Sequence, residues 1–317
     1  MPLPEVLQNR LTLPAIGAPL FIISNPKLAV AQCTAGIVGT FPSLNARPAE
    51  QLEGWLKDIS AALTAWDTAH PEQKSAPYAV NLIVHRSNTR LEHDLALCEK
   101  YRVPVVITSL GARPEVNAAI HAYGGVVLHD VINNSFALKA VEKGADGLIA
   151  VAAGAGGPAG TQSPFALVQE IREWFSGPLV LSGAIATGGA ILAAQACGAD
   201  LAYIGSAFIA TEEANASSAY KQALVDGSAA DIVYSSLFTG VHGNYLRTSI
   251  KAAGLDPDHL PEGDVTTMNF HEGAAKAWKD IWGAGQGIGA IKSVLPASDL
   301  VARLRHEYVA AKKMAAF

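Results

Sequence analysis

Short runs rich in Val, Ile and Leu alternate with amphipathic segments along the first 210 residues of the chain. Apolar runs of this length, bounded by turn residues, predict buried strands, whereas apolar residues at helical spacing predict helices. Residues 47–66, for example, place Leu52, Leu56 and Ile59 on one helical face. The predicted strands are 14–21, 37–42, 78–84, 104–110, 125–131, 147–153, 178–185 and 201–208.

Eight strands in succession, with helical segments between them, predict an α/β protein. A closed (β/α)8 TIM barrel is the simplest architecture for eight βα units. An open, doubly wound sheet is the alternative, because it is built from the same units. Of the 317 residues, 50% are hydrophobic and only 16% are charged, which suits parallel strands that are buried on both faces.

The pattern changes after residue 211. A helical segment is followed by an irregular stretch over 237–270 that contains Gly, Pro, Asp and His. Long irregular stretches in compact domains are often functional. We therefore predict a TIM-barrel domain over 1–213, an inserted cap or substrate subdomain over 214–275, and C-terminal helices over 276–317 that return to the barrel.

Charge and hydropathy argue against several classes of protein. The net charge is −5 and no cluster of Lys and Arg is present, so we expect no nucleic-acid partner. The N-terminus lacks a basic region followed by an apolar run, and Asp200 interrupts the most apolar stretch. We expect a cytoplasmic protein with no signal peptide and no membrane partner. The nine histidines include no HxxxH pair, so we expect no metal.

Glycine-rich segments lie at or after the carboxyl ends of the last three predicted strands. Barrel enzymes bind ligands at the carboxyl ends of their strands, and phosphate groups are often bound after strands seven and eight. Backbone N–H groups of Gly183, Gly205 and Ser206 would meet a dianion there, unless these glycines serve only tight turns. The segments are "GAGGPAGT" (154–161), "SGAIATGG" (182–189) and "IGSAF" (204–208).

The first of these segments also fits the G-x-G-x-x-A fingerprint of dinucleotide sites. It lies in the sixth βα unit, however, and the next strand ends without the Asp or Glu that would hold a ribose. A flavin that carries a phosphate suits the barrel better. A barrel that binds a phosphorylated sugar, without flavin, is the alternative.

As a set, the motifs of this chain resemble those of the nitronate monooxygenase family, once called 2-nitropropane dioxygenases. The resemblance covers about residues 15–292 and implies an FMN-dependent TIM-barrel oxidoreductase that oxidises alkyl nitronates with O2. The same fold family includes NAD(P)H-dependent quinone and enoyl reductases and FMN enzymes that act on acyl-CoA or ring substrates, which stay open as alternatives. Besides the three glycine-rich segments, the resemblance rests on "GAPLF" (17–21), "VNLIV" (80–84), "GADLAYIGSAFIAT" (198–211) and "GAGQGIG" (283–289).

The resemblance also implies an FMN site. The backbone of residues 18–20 would run under the flavin ring, Asn81 would offer its amide, and Asp130 would stand beside the ring, where many relatives have Lys. The residues implied to bind FMN are Ala18, Pro19, Leu20, Asn81, Asp130, Gly154, Gly156, Gly157, Ser182, Gly183, Gly205 and Ser206.

Pro158 stands where relatives carry their catalytic histidine, and proline cannot accept a proton. We predict His129, at the end of strand five, and His242, in the inserted segment, as catalytic replacements. His85, after strand three, is a further candidate. Strand alternation lets only one of His129 and Asp130 point inward. Each histidine could instead be structural, and the chain could bind flavin without catalysis.

The resemblance implies a small-molecule substrate with O2 or NAD(P)H as the redox partner, and we expect a monomer or a homodimer. Nitronates already carry their negative charge at neutral pH. A missing base would therefore impair the oxidation of nitronates less than that of neutral nitroalkanes.

Overall fold

The predicted barrel is confirmed in the computed structural model, which describes residues 3–263 and 280–315. Eight parallel strands form one sheet in the order β1-β9-β8-β6-β5-β4-β3-β2. A parallel bridge between Ile16 and Val38 joins the two ends, so the sheet closes and the open doubly wound alternative is wrong. The strands are β1 (Ala15–Gly17), β2 (Gly39–Pro42), β3 (Tyr78–Ile83), β4 (Val105–Ser109), β5 (Val126–Val131), β6 (Gly147–Val151), β8 (Leu179–Ser182) and β9 (Leu201–Ile204).

Helices surround the barrel, as the amphipathic segments predict. Several begin at a polar residue whose side chain accepts a bond from the first turn, as Asn25 and Thr187 do. In the described ranges the helices are α1 (Pro26–Thr34), α2 (Gln51–Ala69), α3 (Leu91–Lys100), α4 (Pro114–Ala122), α5 (Asn134–Glu142), α6 (Pro164–Arg172), α7 (Gly188–Ala196), α8 (Ser206–Ile209), α9 (Ser218–Asp226), α10 (Arg247–Ala252) and the C-terminal helix (Ala297–Ala315).

The barrel interior is apolar along most of its length and polar at one end. Ile16, Ile107 and Ile149 belong to the interior cluster of buried residues. Because side chains alternate along a strand, the next inward positions towards the carboxyl ends bring polar groups to the top of the barrel, among them Ser109 and Asp130. Apolar side chains therefore fill the barrel towards the amino ends of its strands, and polar side chains lie at the carboxyl ends.

A second, antiparallel sheet connects the barrel with the inserted segment. It has the order β10-β11-β7, formed by β7 (Gly157–Pro158), β10 (Ile232–Ser235) and β11 (Gly243–Leu246). Part of the predicted subdomain, 264–275, lies outside the described residues. Residues 214–263 hold α9, the β10–β11 pair and α10, and pair with the loop after β6 through this sheet.

Among the described residues, every helix is too short or too polar to cross a bilayer.

Asn133 is the N-cap of α5, the helix that follows the carboxyl end of β5. Its Oδ1 accepts a hydrogen bond of 2.9 Å from the backbone N–H of Phe136. Asn133→Ala removes this cap, and we expect it to lower the free energy of unfolding by about 1 kcal/mol. Urea unfolding measures the loss. Ser135→Ala, at an exposed position in the same turn, is the control that should leave stability nearly unchanged. Equal stability of the two variants would contradict a capping role.

Candidate functional site

A cavity of about 710 Å³ lies at the carboxyl ends of the barrel strands. Every residue predicted from the sequence to bind FMN lines it, from Ala18 after β1 to Ser206 after β9. Two of the histidine candidates, His85 and His129, line it as well, whereas His242 does not. Chain segments far apart in sequence thus meet at the place where the barrel fold positions its ligands. Their roles towards a cofactor stay predictions.

A chain of hydrogen bonds crosses the cavity floor from β3 to β5. Asn81 Nδ2 donates to Ile107 O at 3.0 Å and to Ser109 Oγ at 2.7 Å. Ser109 Oγ in turn donates to Asp130 Oδ2 at 2.5 Å. Ser109 belongs to none of the motifs and was not predicted as a site residue. Its only signal in the sequence is a polar residue near the end of an apolar run. The bonds fix the orientation of the Asp130 carboxyl group.

Two buried polar atoms of the floor have no hydrogen-bond partner among the described residues: Asp130 Oδ1 and the Tyr203 hydroxyl. Burial raises the pKa of Asp130 to about 6, against the lowering effect of the bond from Ser109. Burial, and then the charge of Asp130, raise the pKa of Tyr203 well above its ordinary value. Unsatisfied buried polar groups cost free energy, so both atoms are candidates to bind a polar ligand.

His129 faces the opposite side of β5 from Asp130, towards the surrounding helices, as strand alternation requires. Its Nδ1 lies 2.6 Å from Thr108 Oγ1. Burial, followed by the charge of Lys143, lowers the pKa of His129 to about 4, so the ring is neutral at neutral pH. His129 borders the part of the cavity next to α5, whereas Asp130 belongs to the floor inside the barrel.

His242 lies beside Pro158, but its ring stays outside the cavity lining. The backbone N–H of Ala159 donates to His242 O at 3.2 Å, and Gly243 pairs with Pro158. The ring stacks on Tyr234, with 5.1 Å between centroids, and half of the side chain is exposed. Pro158 itself lines the cavity at its exposed rim. The structure therefore brings the backbone of His242, but not its ring, next to Pro158.

Glycines in the cavity wall allow neighbouring backbone segments to pack closely against each other. Gly183 has φ +136°, and a Cβ there would lie 2.8 Å from Ala153 O. At Gly156 a Cβ would lie 2.7 Å from the backbone N of Gly285, so the loop after β6 packs directly on the segment "GAGQGIG". A Cβ at Gly205 would meet only ordinary contacts, the nearest 3.6 Å away at Leu20 Cδ2. Packing therefore explains the first two glycines but not Gly205, which borders open cavity.

No group of three or more His, Cys, Asp or Glu side chains that could hold a metal ion occurs in residues 3–263 and 280–315.

Comparison with known proteins identifies relatives over the whole barrel. The family model described as nitronate monooxygenase matches residues 10–307. The nitronate monooxygenase of Paraburkholderia phytofirmans is 27% identical over 93% of this chain and 92% of its own. The nitroalkane oxidase of Streptomyces ansochromogenes superposes with a TM-score of 0.82 at 25% identity, over 98% of this chain and 100% of its own. FabK from Thermotoga maritima shares the fold, with a TM-score of 0.77 at 21% identity over 98% of this chain and 96% of its own.

Proposed function

The chain belongs to the nitronate monooxygenase family of oxidoreductases, and from this premise we propose that it uses FMN to oxidise anionic alkyl nitronates with O2. The observation that carries the choice of substrate is Pro158 at the cavity rim, where the resemblance puts a catalytic histidine. Proline has no group that accepts a proton, so a substrate that arrives already deprotonated fits this site better than a neutral nitroalkane.

The residues of the cavity fit FMN. The unpartnered Asp130 Oδ1 and Tyr203 hydroxyl offer polar contacts at the floor, next to the Asn81 amide, where the polar edge of a flavin could be bound. The open space at Gly205, close to Gly183, leaves backbone exposed for a phosphate. Bound FMN would supply the electron-transfer chemistry, and the protein would supply binding and orientation.

The chain's own groups leave a limited set of proton-transfer roles. Asp130, whose pKa is about 6, can hold or release a proton at the cavity floor near neutral pH. Tyr203, whose pKa is raised, stays neutral and can donate a hydrogen bond. His129 is neutral and bonded to Thr108 outside the barrel interior. Asp130 is therefore better placed than His129 to act at the floor.

NAD(P)H-dependent reduction of a quinone or an enoyl group is the second candidate, and an acyl-CoA or ring substrate belongs to the same class. Pro158 is also compatible with this second reaction, because delivery of a hydride to a flavin requires no base at position 158.

Anaerobic stopped-flow mixing tests the proposed reaction. Saturating propyl nitronate should bleach the absorbance of the FMN-loaded enzyme, whereas neutral nitropropane should bleach it slowly or not at all. Pro158→His places a proton acceptor at the rim, and we expect roughly a tenfold faster reaction with the nitroalkane and an unchanged reaction with the nitronate.

His242→Ala is the matched control, because its ring stacks on Tyr234 outside the cavity lining and its loss should not change nitronate oxidation. If the FMN absorbance stays that of the oxidised flavin with propyl nitronate, nitronate oxidation is excluded. Much faster bleaching by NADH or NADPH than by nitronate would establish the second candidate.

A further inference from the structure

The cavity continues beyond the barrel interior into a groove along α5, which we call the α5 groove. One wall is a stripe of α5 side chains at spacings of three and four residues, which lie on one helical face. The other wall is the loop after β4, where Leu110 and Gly111 both have positive φ, and His129 lies between the walls. The stripe consists of Phe136, Lys139 and Ala140 on α5 and of Lys143 at its C-cap, all of which line the cavity.

The α5 groove is positively charged. Lys143 Nζ donates to the backbone O of Ala112 at 2.9 Å, which leaves two of its three N–H groups for a ligand. Lys139 Nζ lies 5.8 Å from the centroid of the Phe136 ring. Neither lysine takes part in an ion pair within the described part of the chain. The neutral His129 ring adds no charge of its own.

One carboxylate close to Lys143 is already paired with an arginine. Glu115, whose charge interacts with that of Lys143, pairs with Arg113 at 2.6 Å. Lys139 and Lys143 are one helical turn apart, about 6 Å along the axis, which suits two linked phosphates better than one isolated anion. The groove therefore presents an anion site with two cations.

The entrance of the groove is apolar. Phe136 is 48% exposed and Ile132 is 38% exposed, and both line the cavity. Exposed apolar groups at a cavity edge indicate a binding surface, and an exposed ring can stack on a planar group. This surface connects the barrel interior with the two lysines. The rest of a ligand whose reactive end is bound in the barrel would therefore lie along α5.

We propose that the α5 groove binds the pyrophosphate-bearing tail of an adenine nucleotide, with the phosphates at Lys139 and Lys143. This inference rests on the proposed function in that the reactive end would lie in the same cavity as FMN. Two ligands carry this tail: a CoA thioester as substrate, or NAD(P)H as reductant. The site is separate from the glycines at β8 and β9, so FMN and the tail can be bound together.

The test measures binding of CoA and of NADPH to the FMN-loaded enzyme by isothermal titration calorimetry. We expect one of them to bind, with an affinity that falls as salt is raised, since the lysines contact phosphate. The double variant K139A/K143A should weaken that binding at least tenfold. The control is K312A/K313A, which removes the same charge from the exposed end of the C-terminal helix and should bind as the wild type does. The ligand that binds identifies the source of the tail.

Two outcomes would overturn the inference: neither CoA nor NADPH binds to the wild type, or K139A/K143A binds as tightly as the wild type. The oxidation of propyl nitronate is measured on the same samples and should be equal in all of them, because so small a substrate does not reach the groove. Nitronate oxidation without tail binding contradicts this inference alone. Tail binding without nitronate oxidation contradicts the proposed nitronate reaction alone.

Discussion

Gly205→Val is expected to keep the fold and to bind FMN about 100-fold more weakly, a loss of about 2.7 kcal/mol of binding free energy. Gly205 follows β9 as the N-cap of α8, with φ −105°, which any residue adopts. A Cβ there would lie 3.6 Å from Leu20 Cδ2 and 3.7 Å from Ala18 Cβ, both ordinary contacts. The protein can therefore accommodate a side chain at this position, and the added methyl groups would occupy space in the cavity that the FMN phosphate needs.

FMN titration followed by flavin fluorescence gives the affinity, and thermal unfolding of the FMN-free protein gives the stability. Gly189→Val is the matched control, because Gly189 belongs to the glycine-rich segment 182–189 but lies in the first turn of α7, outside the cavity lining. A Cβ there meets only Thr187 Oγ1, at 4.0 Å. Unchanged FMN affinity in Gly205→Val would place the phosphate elsewhere. A large drop in its melting temperature would show that Gly205 serves packing.

Asp130→Asn is expected to stabilise the FMN-free protein by about 3 kcal/mol at pH 7.5 and by little at pH 4. Burial raises the pKa of Asp130 from 3.8 to about 6 in the folded state. Between these two values the folded protein binds more protons than the unfolded chain, so this group lowers stability as pH rises through about 4 to 6. Asparagine keeps an oxygen that can accept the bond from Ser109 and carries no charge to desolvate.

Urea unfolding at both pH values measures the difference between variant and wild type. Asp58→Asn, at an exposed position on α2, is the control and should change stability little at either pH. A difference that is the same at pH 4 and pH 7.5 would show that Asp130 titrates normally, and that its carboxyl group is hydrated or paired in solution.

The barrel was predictable from the sequence because each buried parallel strand is a continuous apolar run. All eight strands lie inside predicted segments. The small sheet was not predictable: β7 has only two residues, and β11 lies in the irregular stretch 237–270. Such short strands are defined by their pairing partner and carry little periodicity of their own.

The glycine-rich backbone of the candidate site could be predicted from sequence motifs. The side chains of the site were harder to predict, because their orientation depends on contacts in the folded protein. The glycine-rich segments line the cavity because the carboxyl ends of all the barrel strands lie at the same end of the barrel. Ser109 belongs to no motif, and Tyr203 lies in a motif that gives its side chain no role. The structure shows both at the cavity floor, where Ser109 donates to Asp130 and the charge of Asp130 acts on Tyr203. The position of the His242 ring depends on stacking against Tyr234, across the β10–β11 pair, which sequence spacing does not reveal.

The pairing of β7 with β11 has a consequence for the residue at the cavity rim. The rim residue Pro158 and its partner Gly243 are 85 positions apart in sequence, but they form one unit of backbone structure. An insertion or deletion in the turn before β11 would shift the register of that pairing and re-aim the residue opposite Gly243. The chemistry available at the rim can thus change through loop length in the inserted segment, without any substitution at position 158.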